Sequence, residues 1–81
     1  MNMTDTIRWI IGCIARINEV GIVNIKDVAQ DMVMDIVDLR VWLRLMECLR
    51  MVEVDVTNDY VILNLLYLDS YGFDIGELVD L

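Results

Sequence analysis

The chain contains no histidine, which removes the commonest general base, the commonest zinc ligand and the one side chain that titrates near neutral pH unaided. Catalytic arrangements of the Ser/His/Asp or Cys/His kind are therefore excluded. Ser70 is the single serine, and Gly12, Gly21, Gly72 and Gly76 are too dispersed to cradle a phosphate. The two cysteines, Cys13 and Cys48, lie far apart in apolar stretches. They have neither the close spacing of a metal knuckle nor the density of a disulfide scaffold, so core packing is the expectation for both. Ten aspartates make carboxylate pairs easy to draw, but none marks an identifiable cleft. The expectation is a protein that is not an enzyme and needs no metal or cofactor.

Proline is absent too, and glycine is scarce, while 58% of positions are hydrophobic. That is too much apolar material for a disordered or low-complexity chain. At 81 residues there is room for one small core. No long hydrophobic run occurs. The apolar stretch Trp9 to Ala15 is closed at both ends by Arg8 and Arg16, well short of the roughly 20 residues a bilayer span needs. The residues before Arg8 lack the basic start of a secretory signal, so the expected location is intracellular (cytoplasmic), without membrane association.

Positive charge is scarce as well: six cations stand against 14 acids, for a net charge of −8. The distribution is uneven. Up to Met51 there are seven acids and all six cations, whereas from Val52 to Leu81 there are seven acids and no cation. Nucleic acid and anionic lipid are repelled by such a molecule unless its few cations gather on one face.

Hydrophobic periodicity divides the chain into elements. Thr4 is placed to cap a helix from Asp5 to about Glu19, with Ile7, Ile10, Ile11, Ile14 and Ile17 as its core stripe. A second apolar row, Trp9, Cys13 and Val20, runs beside the first and gives the helix more apolar surface than a lone domain of this size can cover. Trp9 is readable as a core tryptophan or as part of an association surface. Gly21 suits a left-handed helix exit. Ile22 to Asn24 is a short β-branched stretch. Asn24 then caps a helix through about Met32, with Val28, Ala29 and Met32 inward. Asp35 caps the strongest helix, expected from Ile36 to about Met51. Leu39, Leu43 and Met46 form one of its rows and Trp42, Leu45 and Leu49 another, with Arg40, Arg44 and Glu47 as a narrow polar stripe.

After Met51 the period changes to two. Val52, Val54 and Val56 alternate with acids, and a two-residue loop at Asn58 and Asp59 pairs Thr57 with Tyr60, Val56 with Val61, Val54 with Leu63 and Val52 with Leu65. The second strand is expected to end near Leu66. Beyond it, residues 69–81 read as an acidic tail or as a short closing helix capped by Asp74.

Helix, short strand, short helix, turn, longer helix and hairpin is the order of the winged helix-turn-helix family. The segment IKDVAQDM (Ile25 to Met32) resembles the first helix of that unit, with Val28 and Ala29 at its aliphatic and alanine positions. LMECLRMVEV (Leu45 to Val54) resembles the end of the recognition helix running into the wing, with Met46, Glu47, Met51 and Val52 at matching positions. Arg50 departs from the pattern, standing where the family commonly has glycine. The resemblance covers roughly Ile7 to Leu66. It implies an α+β, mostly helical fold of three helices and a C-terminal β-hairpin wing, with residues 1–68 as the domain.

That family contains both DNA readers and protein-docking modules. For DNA the resemblance would place the helix from Asp35 in a major groove, with Arg40, Arg44 and Arg50 as the possible contacts. Asp35 and Asp38 at its start, and Asp59 at the hairpin tip, oppose that role. Arg40, Arg44 and Glu47 read equally as a solvated face carrying an ion pair at spacing three. The reading preferred is a non-enzymatic regulatory or interaction module acting through protein–protein contacts, as a homodimer. Its expected interface is drawn from Trp9, Cys13, Val20, Val41, Trp42, Leu45, Tyr60 and Ile62. A sequence-specific transcriptional regulator is the alternative. An acidic DNA-mimicking inhibitor that meets a basic protein partner is the third.

Overall fold

The computed structural model describes residues 2–78. The order of elements is α1 (Met3–Ile17), β1 (Ile22–Asn24), α2 (Ile25–Met32), α3 (Ile36–Cys48), β2 (Val52–Asp55), β3 (Tyr60–Leu63), α4 (Leu65–Ser70) and α5 (Ile75–Leu78). The fold is α+β and mostly helical, with a three-stranded antiparallel sheet ordered β1-β3-β2. No helix among the described residues is long and apolar enough to cross a membrane.

Side-chain caps set the starts of the first three helices. Asn24 accepts from the Lys26 amide at 2.9 Å and Asp35 from the Val37 amide at 2.8 Å, as their positions in the sequence predict. At the first helix the cap is Asn2, not Thr4: its Oδ1 accepts from the Asp5 amide at 2.9 Å. Asparagine caps about as well as aspartate or serine and better than threonine, so the helix starts earlier. It also stops earlier, at Ile17. Gly21, with φ 85, therefore serves the turn into β1 and does not close the helix. A Cβ there would lie 2.9 Å from that of Leu63, so the glycine also lets β3 approach.

α2 and α3 end alike. The Met34 amide donates to the Ala29 carbonyl and the Val33 amide to Gln30, while Met51 donates to Met46 and Arg50 to Glu47. These are two Schellman closures, and each needs a left-handed residue. Val33 (φ 53) and Arg50 (φ 63) supply it. The α3 helix consequently stops at Cys48, three residues before the end its periodicity predicts. A β-branched residue in this conformation is strained, and Val33 is 93% exposed, with little packing in return. Val33→Gly is expected to raise stability by about 1 kcal/mol, read from a urea unfolding curve. A loss would mean that the Val33 side chain has an energetic role of its own.

The hairpin is present with a different register. Val52 pairs with Leu63, Glu53 with Ile62, Val54 with Val61 and Asp55 with Tyr60, a shift of two residues from the expected pairing. Val56 and Thr57 thus fall in the connection with Asn58 and Asp59. Asp55 holds that turn, accepting from the Asn58 backbone amide at 3.1 Å and its side-chain amide at 2.9 Å. These hydrogen bonds keep the Asp55 carboxyl below its ordinary range. β3 ends at Leu63 because Asn64 opens α4, which occupies the residues expected to finish the strand.

The core joins Ile7, Ile10, Ile11 and Ile14 of α1 to Val28 of α2, Leu39, Leu43 and Met46 of α3, and Val23, Val52, Val61 and Leu63 of the sheet. Ile17 is exposed, because the helix ends there. Leu68 and Leu78 are buried in the same cluster, and Asp74 caps α5 as expected, accepting from the Glu77 amide at 3.3 Å. α5 rests on α1 at Gly12, where any Cβ would collide with the Leu78 carbonyl oxygen. Of the expected tail, residues 79–81 lie outside the described part.

Candidate interaction surface

α3 has one face in the core and the opposite face in solvent. The outward residues are Val37, Val41, Leu45 and Cys48, spaced four, four and three apart, so they form a continuous stripe. Val41, at its middle, is 64% exposed. Trp42 sits to the side, half-buried and packed on the core. Leu45 and Leu49, which share an apolar row with Trp42, are exposed. The core cluster closes over Leu39, Leu43 and Met46, and α3 turns its remaining apolar row to water.

Two residues of the polar stripe of α3, Arg40 and Glu47, are used inside the molecule. Arg40 grips Asp59 through both guanidinium nitrogens, Nη1 to Oδ1 at 2.7 Å and Nη2 to Oδ2 at 3.0 Å. This paired geometry is the strongest an ion pair offers. Asp59 itself has φ 61, and its carbonyl accepts from the Ile25 amide at 2.9 Å. The hairpin tip is thereby tied to α3 and to the start of α2. Glu47 accepts from the Val54 amide at 3.1 Å, covering the edge of β2, and does not pair with Arg44. Arg44 has no ion-pair or hydrogen-bond partner among the described residues. Arg50 donates to the Tyr67 hydroxyl at 3.0 Å, with its guanidinium carbon 5.8 Å from the ring centroid.

The second apolar row of α1 does not survive as a surface. Cys13 is fully buried, with its thiol donating to Asp31 Oδ2 at 3.0 Å. Burial, then the Asp31 hydrogen bond and charge, push the thiol up to about 12, with Arg16 opposing. The same hydrogen bond, helped by Arg16 at 3.5 Å, holds the Asp31 carboxyl below its ordinary range. Trp9 is 51% exposed, lining a shallow recess of about 200 Å³ with Arg16, Asp31 and Met32. Val20 is exposed in the turn after α1, Tyr60 is exposed on the sheet, and Ile62 is half-buried opposite Ile22 of β1.

The structure therefore brings Val41 and Leu45 together on α3 and leaves Trp9, Val20 and Tyr60 on other elements. Cys13 is removed to the interior. Val37 was missed by sequence reasoning although it lies one turn before Val41, so the spacing itself contained the signal. Asp59 as the partner of Arg40 had no local signal, since the two are 19 residues apart. Compared with protein-family models, with curated proteins and with solved structures, the chain matches none.

Proposed function

We propose that this chain is a small winged-helix-type interaction or regulatory module that acts through protein contacts as a homodimer, with α3 as the meeting element. The order of helices and strands, with β1 laid against β3 of the hairpin, supports the fold assignment. The observation that carries the functional reading is the outward stripe of α3: where a DNA reader presents polar and cationic groups, this helix presents Val37, Val41 and Leu45. Arg40 is held by Asp59 and Arg50 by Tyr67, which leaves Arg44 as the cation of the three without a described partner.

A second copy is the occupant favoured by charge. Most of this acidic molecule repels itself, but the span Ile36–Cys48 holds two acids and two cations and is neutral. Antiparallel pairing about a twofold axis sets Val37, Val41 and Leu45 of one α3 against those of the other, across a span whose charges sum to zero. Such an interface is isologous and self-complementary. Sedimentation at tens of micromolar is expected to give a dimer, and Val41→Asp to weaken it about a hundredfold or more by burying an unpaired carboxylate. A wild-type monomer overturns the proposal. Random duplex DNA at low salt is expected not to bind. Micromolar binding that weakens steeply with salt and is lost in the double variant Arg40→Ala, Arg44→Ala supports a transcription regulator instead.

A further inference from the structure

A second surface lies away from α3, where α4 and α5 meet the turn after α1. It is a groove of about 610 Å³ lined by Glu19, Leu65, Asp69, Gly72, Phe73, Asp74 and Ile75. Phe73 and Ile75 form a floor that is half-buried against the core, and Leu65 is exposed at its side. The polar side chains of the lining are all carboxylates. Asp74 is partly engaged as the cap of α5. The carboxylates of Glu19 and Asp69 have no ion-pair or hydrogen-bond partner among the described residues. No lysine or arginine occurs after Arg50, so the segment that builds most of the groove carries no cation to neutralise them.

Each component of this arrangement names a property of its occupant. An apolar floor of this size takes a bulky side chain, and the unpaired carboxylates of the lining take cations beside it. Anionic ligands are repelled, which excludes phosphates and nucleic acid from this site. We infer that the groove between α4, α5 and the α1–β1 turn docks a basic segment of another protein, with a large apolar residue seated beside lysines or arginines. The inference is independent of self-association through α3, because no residue of α3 lines the groove.

The probe is a fluorescein-labelled nonapeptide of lysine and arginine with a central leucine pair, titrated against the full chain by anisotropy. Binding is expected to be micromolar at low salt and to fall steeply as salt rises. Replacing the leucine pair by serines is expected to weaken it about tenfold, which separates docking from simple charge attraction. Glu19→Gln with Asp69→Asn is expected to weaken it about tenfold as well, whereas Glu53→Gln on the hairpin leaves it unchanged. Both variants alter exposed side chains, and a thermal melt verifies that they fold. Amide shifts on binding are expected at Gly72 and Ile75. Val41→Asp is expected to bind the peptide as wild type does, so failure of the dimer and failure of the groove are read separately. Absence of binding at low salt, equal binding by the Glu19/Asp69 double variant or by the serine peptide, or shifts centred on the hairpin overturns the inference.

Discussion

Leu39→Ala is expected to lower stability by about 3 kcal/mol, within the usual range for a leucine truncated in a packed core. Leu39 is fully buried on the inward face of α3, within the core cluster. A domain of this size has roughly 4–12 kcal/mol in total, so the loss is a large fraction of it. In a melt it corresponds to a fall in midpoint of roughly 12–25 °C. Leu49→Ala, at the end of the same helix, is expected to cost about 1 kcal/mol or less, because Leu49 is already exposed. Sequence periodicity alone places both leucines in apolar rows of the helix, so the contrast between them tests the tertiary arrangement directly. Equal losses would mean that Leu49 is covered, by the chain or by a partner.

The second large effect concerns Cys13. Thiolates, not thiols, are the nucleophiles, and a shift from the ordinary value of 9.0 to about 12 cuts the thiolate fraction at pH 8 by about a thousandfold. In the Val41→Asp variant, whose α3 is left uncovered, iodoacetamide is therefore expected to modify exposed Cys48 readily, while Cys13 stays unmodified until the chain is unfolded. Mass spectrometry of timed samples measures both. Rapid labelling of Cys13 in the folded protein would show that its thiol is neither buried nor bonded to Asp31.

Burial of Cys13, with its hydrogen bond to Asp31, also shapes stability against pH. For Cys13 the folded value lies above the unfolded one, so the fold favours the protonated thiol. Its contribution is complete below about pH 9 and declines as pH rises toward 12, with a slope of at most about 1.4 kcal/mol per pH unit. Asp31 and Asp55 are shifted downward. Their contributions are present above the ordinary carboxylate value and are lost as pH falls through the lowered ones. Cys13→Ala removes the alkaline decline and, by depriving Asp31 of its main hydrogen bond, makes the acid decline shallower.

Much of this architecture is legible one element at a time. Asn24 and Asp35 announce helix starts because a capping side chain satisfies amides only two or three residues away. Leu39, Leu43 and Met46 announce an inward face because helical geometry repeats every 3.6 residues. The alternation after Met51 announces strands for the same kind of reason. The hairpin register was not legible, because a shift of two residues keeps every side chain on its own face. Hydrophobic pattern is blind to such a shift, and the turn at Asp55 to Asn58 decided it. The candidate surface was half legible: Val41 and Leu45 were visible as surplus apolar residues, but so was Cys13, which is buried in the core cluster.

Local chemistry alone therefore determined the first three helices and the hairpin, the absence of histidine-based catalysis and the concentration of negative charge after Met51. Each of these depends on neighbours within a few positions or on composition. Only the tertiary structure decided which apolar row is left in water, which arginines are occupied, and that the carboxylates of Glu19 and Asp69 line one groove. Those outcomes depend on pairs far apart along the chain, such as Arg40 with Asp59 or Gly12 with Leu78. Their meeting is set by how the elements pack against one another, a quantity that no periodicity within an element records.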